Sequence, residues 1–386
     1  MLDSTSRTAL HSTPPARHRF YVLDSMRGLA AILVMLWHAP NLPWKLVNRN
    51  GALAVDFFFC LSGFVIAFSY EGRLQKGLKL SSFYAARLIR LYPVYLLSML
   101  FAFAVSIAMD FHGHANHARF HAEAGFLGLS LFLLPNLGKA NPLLFPLNTP
   151  AWSLFYELIA NLVYAFAVCR KLTSSWMVAA VCGASLLGMI ILFASRKHMM
   201  YEVGYLNARW SFTAAFCRVA LSFGMGILVF RAYSKSHSWK PSPAIRSCLA
   251  ASAIMLLLLV ITLPNAALQK NVVGLLFIVF VFPVLTFFGA FAQVPHNLQK
   301  SCVILGETSY PLYLIHMSFV RILQLGFFEQ RLAAGPLKPW LLPITVALAS
   351  GFSYLIATRI DLPVRAFLSR RYNAHMSSSV NVSQPS

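Results

Sequence analysis

The sequence predicts an all-α, polytopic membrane protein, and three observations support that fold class. The hydrophobic fraction is 58%, charged residues make up only 11%, and the mean hydropathy is +0.65, which is outside the usual range for soluble domains. Apolar stretches of about 20 residues, the length of a helix that crosses a bilayer, recur along the whole chain. Because no long polar segment separates them, we expect one membrane domain at 20–369.

About ten transmembrane helices and one shorter apolar segment account for these stretches. The shorter segment, 123–138, is interrupted by Pro135 and is too short for a span, so we interpret it as re-entrant or interfacial. The predicted spans, placed to within about two to four residues, are 22–40, 52–70, 90–110, 150–169, 175–194, 210–230, 247–264, 271–291, 303–326 and 340–358.

The distribution of charge predicts the orientation. A formal net charge of +21 would suggest a nucleic-acid partner in a soluble protein, but in a membrane protein lysine and arginine mark the inner side. With the N-terminus inside, nearly twice as many of these residues fall in inner loops and tails as in outer loops. We therefore expect both termini in the cytoplasm and no nucleic-acid partner. Residues 1–19 and 370–386 are predicted to be disordered basic tails.

Four ionisable side chains lie inside the predicted spans, towards the outer side of the membrane. At a rise of 1.5 Å per residue, Asp56 lies about 6 Å and Glu157 about 10 Å below the outer ends of their spans. His38 lies near the end of the first span, and His316 lies in the outer half of the ninth. Because an acidic residue within a membrane helix costs about 2.5–3.5 kcal/mol, we expect these side chains to share a polar cavity or to pair with one another.

Structural ion pairs are an alternative explanation for the same residues. Arg218 and Arg321 also lie within predicted spans, and a buried arginine needs a partner. The two acidic residues could therefore serve a site or neutralise these arginines.

Three arginines form a second group, at the inner side. Arg87 and Arg90 are three residues apart, on one helical face, just before the third span. Arg27 lies about 16 Å below His38 along the first helix. Guanidinium groups bind phosphate well, so a multiply phosphorylated cytosolic ligand is the natural candidate. Anionic membrane lipids, or the ordinary excess of positive charge at the inner side, would explain each arginine equally well.

Five motifs carry these residues along the chain. They are "LDSMRGLAAILVMLWH", which ends at His38, "DFFFCLSGF" from Asp56, "RLIRLYPVY" from Arg87, "WSLFYE" ending at Glu157, and "GETSYPLYLIH" ending at His316. In composition and order they resemble the signature motifs of the acyltransferase 3 family of membrane acyltransferases. The resemblance covers 22–316, nearly all of the membrane region, and we expect the membrane domain to stand alone.

The resemblance implies a reaction. Members of the family move an acyl group, commonly acetyl, from cytosolic acyl-CoA to a hydroxyl of a glycan or lipid-linked saccharide. It therefore implies a multi-pass enzyme of the inner (plasma) membrane with acetyl-CoA as donor. On this interpretation Arg27, Arg87 and Arg90 hold the CoA phosphates.

The resemblance also suggests roles for the outer residues. His38 would act as general base on the acceptor hydroxyl or would itself be transiently acylated, with Asp56 or Glu157 holding its tautomer. His316 would assist or bind the acceptor. Acceptor binding is assigned to the remaining polar and aromatic residues of the motifs, although such aromatics more often serve packing. These residues are Trp152, Ser153, Tyr310 and Tyr313.

Two rival functions remain open. A proton-coupled transporter of a polar or glycan substrate would also keep acidic residues and histidines in its spans, but a carrier typically shows inverted repeats and none is visible. A noncatalytic scaffold would have no use for polar residues at matching depths. The six cysteines are scattered singly, and the histidines at 112–121 are irregularly spaced, so no metal site is predicted. No pattern sets the oligomeric state.

Overall fold

The part of the chain that the structure describes is almost entirely helical. In this computed structural model the described residues are 85% helical and include no β-strand, which confirms the all-α prediction. Of the two predicted tails, residues 1–18 and 383–386 lie outside the described residues. The described ranges are 19–38, 51–112, 117–139, 141–196, 203–206, 208–236, 238–239, 241–262, 270–323 and 340–382.

Thirteen α-helices follow one another in the described ranges. A 3₁₀ turn, Gly51–Leu53, leads into the second helix, and π-helical turns at Phe277–Val281 and Ile356–Asp361 connect two later pairs. The helices are α1 (Tyr21–His38), α2 (Ala54–Gln75), α3 (Leu80–His112), α4 (His117–Leu131), α5 (Ala151–Cys169), α6 (Ser175–Arg196), α7 (Arg209–Lys235), α8 (Pro243–Thr262), α9 (Lys270–Leu276), α10 (Phe282–Phe291), α11 (His296–Leu323), α12 (Leu341–Leu355) and α13 (Leu362–Val382).

Both π-helical turns lie directly before a proline. Pro283 is the second residue of α10, and Pro363 is the second residue of α13. A proline has no backbone N–H, and its ring clashes with the carbonyl four residues earlier, so a regular α-helix is disturbed there. The wider π turn accommodates the disturbance, so the helical segment continues through it without a break.

Seven helical segments among the described residues are long and apolar enough to cross a membrane. The described parts of the predicted spans at 22–40, 247–264 and 303–326 are also helical, as α1, α8 and α11, but they are not among these seven, so the count of about ten is not confirmed. The inner position of both termini stays a prediction. The seven segments are Gly51–Gln75, Leu80–Met109, Ala151–Cys169, Ser175–Ser195, Arg209–Lys235, Asn271–Phe291 and Leu341–His375.

The segment predicted to be re-entrant or interfacial is a short helix followed by a turn. α4 covers its first half and ends at Leu131, and Leu133 has a positive φ of 58°. Hydroxyl groups from α3 fix the end of α4, because Tyr92 donates to the carbonyl of Leu131 at 2.6 Å and Tyr95 donates to that of Ser130 at 2.7 Å. Its position relative to the bilayer stays a prediction.

Part of the predicted C-terminal tail is helical in the structure. Residues 370–382 continue α13, and no glycine or proline interrupts the chain between Pro363 and Pro385. The hydroxyl of Tyr372 donates to Ser82 Oγ at 3.1 Å, which attaches this part of the helix to the beginning of α3.

Two helix pairs organise the core. α1 packs mainly against α11, and α2 packs mainly against α7. α2 and α7 cross at two glycines: a Cβ on Gly63 would lie 2.0 Å from the carbonyl oxygen of Phe223, and one on Gly226 would lie 2.0 Å from that of Cys60. Since backbone atoms cannot move aside as a flexible side chain can, the helices approach this closely only because both positions lack a side chain.

We expect Gly226→Ala to lower the thermal stability of the purified protein. The added methyl group would push α2 away from α7, and overpacking of this kind typically costs about 1–3 kcal/mol. The measurement is the midpoint of thermal unfolding in detergent. Gly183→Ala in α6 is the matched control, because nothing lies within 4 Å of its Cβ position. Equal midpoints for the two variants would contradict the close crossing.

Candidate active site

His38 and His316 lie side by side in the structure. His38 is the last residue of α1, His316 lies in α11, and 3.2 Å separates His38 Nδ1 from His316 Nε2. The His316 side chain is fully buried, whereas that of His38 is partly exposed. The packing of α1 against α11 therefore brings together the two histidines that the sequence predicts at the outer side.

Backbone carbonyls determine which ring nitrogens carry the protons. His38 Nδ1 lies 2.9 Å from the carbonyl oxygen of Val34, and His316 Nδ1 lies 2.7 Å from that of Tyr313. A carbonyl can only accept a hydrogen bond, so each Nδ1 carries the proton of a neutral ring. His316 Nε2 then accepts from the Nδ1–H of His38, and the lone pair on His38 Nε2 is left for chemistry.

His38 borders a cavity of about 300 Å³. Its walls come from α1, α2, α5, α7 and α11, from the turn before α2, from the segment at 143–150 and from Tyr205, and they include Trp152, Arg218 and Tyr313. His316 does not line it, because it lies behind His38. The arrangement gives His38 direct access to a ligand and makes His316 a positioning residue. Its burial does not favour the predicted alternative of acceptor binding.

Asp56 does not hold the His38 tautomer, contrary to one predicted role. Both of its carboxylate oxygens are bound elsewhere: Arg218 Nε donates to Oδ1 at 2.9 Å and Arg218 Nη2 to Oδ2 at 2.7 Å. Ser222 Oγ donates a further hydrogen bond to Oδ1 at 3.1 Å. The side chains of Arg218 and Asp56 are 1% and 0% exposed. This buried, two-pronged ion pair joins α2 to α7 and forms part of the cavity wall.

Glu157 also binds other residues and is not hydrogen-bonded to His38, whose tautomer it was predicted to hold. Its Oε1 accepts hydrogen bonds from Ser62 Oγ at 2.7 Å and from Arg87 Nη2 at 3.3 Å. Glu157, predicted at the outer side, and Arg87, predicted at the inner side, therefore form an ion pair. The helix α3 begins at Leu80, well before the predicted third span, and places Arg87 alongside α5. Arg90 lies three residues further along α3 and is half-buried.

Arg27 lies at the interface of α1 and α11. Its Nε donates to Ser309 Oγ at 2.9 Å, and its Nη2 donates to the carbonyl of Gly306 at 2.7 Å and to Asp24 Oδ1 at 3.2 Å. The side chain keeps 29% of its surface exposed. The positive charge of Arg365 is close enough for mutual repulsion. Arg27 thus braces the helix pair that carries the histidines and remains accessible to an anion.

Three of the predicted acceptor-binding residues lie at or beside the cavity. Trp152 lines it, with its ring 5.5 Å from the guanidinium carbon of Arg218. Tyr313 also lines it, and its hydroxyl lies 2.7 Å from Ser153 Oγ. Tyr310 lies elsewhere: its hydroxyl donates to the carbonyl of Leu91 at 2.7 Å, near the charges of Glu157 and Arg87.

The sequence does not predict several residues that shape the cavity. Arg218 is noticed only as a charge within a span, which is itself a signal of function. Gly204 follows no motif, yet its φ of +110° and its contact with the Trp152 ring, where a Cβ would approach to 2.4 Å, require glycine. The segment before α5 is held by Arg321, whose Nη1 and Nη2 donate to the carbonyls of Leu147 and Pro146 at 2.7 and 2.9 Å.

Comparison with known proteins identifies the family. The family model described as an acyltransferase domain, acyltransferase 3, matches residues 20–358, which is nearly the whole chain. The chain belongs to the acyltransferase 3 family. This membership confirms the resemblance that the five motifs indicate. The protein is thus a membrane acyltransferase.

Two relatives of this acyltransferase come from bacteria. Protein 2 in the picA locus of Rhizobium radiobacter is 37% identical over 170 residues, which are 40% of this chain and 85% of that protein. Acyltransferase MdmB of Streptomyces mycarofaciens is 23% identical over 411 residues, which cover 93% of this chain and 95% of the relative. No solved structure matches the acyltransferase chain.

Proposed function

We propose that this acyltransferase moves an acyl group, most commonly acetyl, from cytosolic acyl-CoA to a hydroxyl group of a glycan or lipid-linked saccharide. The observation that carries the proposal is the His38 imidazole, whose Nδ1 is fixed by Val34 and His316 while its ring borders the cavity. A fixed imidazole with a lone pair facing a ligand is the arrangement that both general-base and nucleophilic catalysis need.

In the general-base route, His38 Nε2 removes the proton of the acceptor hydroxyl. The acceptor oxygen forms an ester bond with the acyl carbon, the carbon–sulfur bond of the thioester breaks, and the imidazolium returns its proton to the CoA thiolate. In the nucleophilic route, Nε2 attacks the acyl carbon, the carbon–sulfur bond breaks and CoA leaves as the thiolate. The acceptor hydroxyl then attacks the acyl carbon, the bond from that carbon to Nε2 breaks, and the hydroxyl proton passes to the CoA thiolate. Both routes keep the Nδ1–H of His38 donated towards Val34 and His316.

Polar residues along α11 support a path for the donor. Tyr310, Tyr313 and His316 recur every three residues and so share one side of the helix. Near Tyr310, the buried Nε of Arg87 has no hydrogen-bond partner among the described residues. Asn161, one turn after Glu157 on α5, is fully buried, and its side-chain nitrogen and oxygen are likewise unpaired within the described part of the chain. Unpaired buried polar groups need a ligand or water, and the amides of a pantetheine arm would satisfy them.

Binding of the CoA phosphates by Arg27, Arg87 and Arg90 stays part of the proposal. Arg27 keeps 29% of its side-chain surface exposed, although its Nη2 is paired with Asp24 at 3.2 Å. Arg87 is paired with Glu157 at 3.3 Å, and only 12% of its side chain is exposed. Because Arg27 is the more accessible of the two, we expect it to contribute more to donor affinity than Arg87.

Membrane vesicles that contain the protein, supplied with acetyl-CoA labelled in the acetyl group and with crude envelope glycan, test the proposal. We expect the label on the glycan, and none above background in vesicles that carry His38→Ala. Uptake of glycan without labelling would instead indicate a carrier. Transfer at an equal rate by the wild type and the variant would contradict the role of His38.

A further inference from the structure

A second cavity opens at the other end of α1, about 25 Å from His38 by the helical rise. Its volume is about 520 Å³. It lies where α1, α8 and α11 begin and where α7 and α10 end, so the predicted topology places it at the inner face of the membrane. We name it the inner cavity and define it by Arg19, Tyr21, Tyr233, Trp239, Arg246 and Phe291.

The inner cavity carries positive charge that its own walls do not neutralise. Two arginines line it, and no carboxylate is among the described residues that do so. Arg19 is paired with Asp24 at 2.8 Å and with Glu307 at 3.2 Å. Arg246 is half-buried and has no ion pair within the described ranges; its Nε donates to the carbonyl of Pro241 at 2.9 Å, which fixes the side chain. A fixed, half-buried guanidinium with its two amino groups left over is suited to phosphate.

Helix ends contribute less to this charge than the arginines. The N-termini of α1, α8 and α11 would each favour an anion, but α7 and α10 end at the same place and oppose them. The net effect of the helix dipoles is therefore small, and Arg246 determines the preference for a negative ligand.

Three aromatic rings in contact form one wall of the inner cavity, with Phe291 tilted by 48° to Tyr233 and edge-to-face with Trp239. The Phe291 ring centroid lies 4.7 Å from that of Tyr233 and 4.8 Å from that of Trp239. Trp239 is 40% exposed, so its ring remains accessible from outside. An aromatic wall next to a guanidinium group accepts a molecule that has both an apolar or planar part and a phosphate.

The inner cavity lies about 25 Å from His38 along α1, and α10 packs closely against α1 beside it. A Cβ on Gly289 of α10 would lie 2.6 Å from Leu23 Cδ2 and 3.6 Å from Met26 Sδ. A molecule bound in the inner cavity therefore lies far from the reacting groups at His38. We do not expect it to be the acyl donor in its reacting position.

We propose that the inner cavity is a binding site for a phosphorylated ligand, with the phosphate held by Arg246 and Arg19 and the rest of the ligand against Tyr233, Phe291 and Trp239. Two sources supply this chemistry at the inner face: the headgroup of an anionic phospholipid and a soluble nucleotide. The proposal does not depend on the acyl donor or acceptor proposed above.

Binding to the full-length protein in phosphatidylcholine nanodiscs tests the proposal with two probes. One probe is phosphatidylglycerol included in the nanodisc, followed by native mass spectrometry; the other is adenosine 3′,5′-bisphosphate, followed by calorimetry. We expect one of the two to bind, and Arg246→Gln to weaken that binding by about tenfold or more, the usual effect of removing a charged hydrogen-bond donor. The probe that binds identifies the source.

Arg370→Gln is the matched control, because Arg370 is exposed on α13 and does not line the inner cavity. It should leave binding unchanged. If Arg246→Gln does not fold, Trp239→Ala replaces it, since that side chain is substantially exposed and its loss should also weaken binding. Failure of both probes to bind the wild type, or equal binding by wild type and cavity variants, would overturn the proposal.

Discussion

Replacing His38 by alanine is expected to lower the rate of acyl transfer by about 10²–10⁴-fold if the imidazole is a general base, and to abolish turnover if it is acylated. The reason is geometric. His38 borders the cavity with its Nδ1 held by Val34 and His316, whereas His316 itself does not line the cavity and so is not placed to replace the lost imidazole. Initial rates of label transfer from acetyl-CoA give the measurement. Labelling of the protein itself in the absence of acceptor would distinguish the nucleophilic route.

Two further histidine variants make the His38 result specific. His121→Ala, at an exposed position of α4, should leave the rate unchanged. His316→Gln should lower kcat while leaving the KM for the donor nearly unchanged, because His316 positions the His38 ring and is too deeply buried to touch the substrate. A wild-type rate in the His38→Ala variant would show that another residue carries the chemistry.

Replacing Asp56 by asparagine is expected to destabilise the protein by roughly 3–5 kcal/mol, the usual cost of breaking a buried ion pair from one side. Arg218 would keep its positive charge at 1% exposure without the carboxylate that accepts two of its hydrogen bonds. The midpoint of thermal unfolding in detergent measures the loss. Activity should fall as well, because the pair forms part of the cavity wall.

Glu307→Gln is the matched control for the ion pair. Glu307 is paired with Arg19 near the surface, at 24% side-chain exposure, and exposed pairs contribute at most about 1 kcal/mol. The midpoint should therefore change little. If Asp56→Asn lowered it no more than Glu307→Gln, the pair would contribute no more than a surface contact.

Much of the fold follows from the sequence, because the apolar stretches fix where helices lie. The first and last helical residues of α5, Ala151 and Cys169, agree with the predicted span at 150–169 to within one residue. The beginning of α3 at Leu80 was not predicted, since the apolar stretch of the third span begins only near residue 90 and the turns before Arg87 are more polar. The helical continuation through 370–382 was not predicted either, because a polar stretch without glycine or proline is compatible with both a helix and a disordered tail.

The candidate site is predicted in its members but not in its pairings. Charge and depth are local properties, so His38, His316 and Asp56 are found from the sequence. Which residue faces which depends on helix packing over long separations: Arg218 and Asp56 are 162 positions apart, and His316 and His38 are 278 apart. The roles of Asp56 and Glu157 were assigned from their depth and from the family resemblance, and nearby arginines bind both carboxylates instead.

Two contacts join α2 to α7: the close crossing at Gly63 and Gly226, and the buried ion pair between Asp56 and Arg218. The histidines belong to the other helix pair, formed by α1 and α11. Both pairs contribute walls to the same cavity, so the width of the cavity depends on how the two pairs pack against each other.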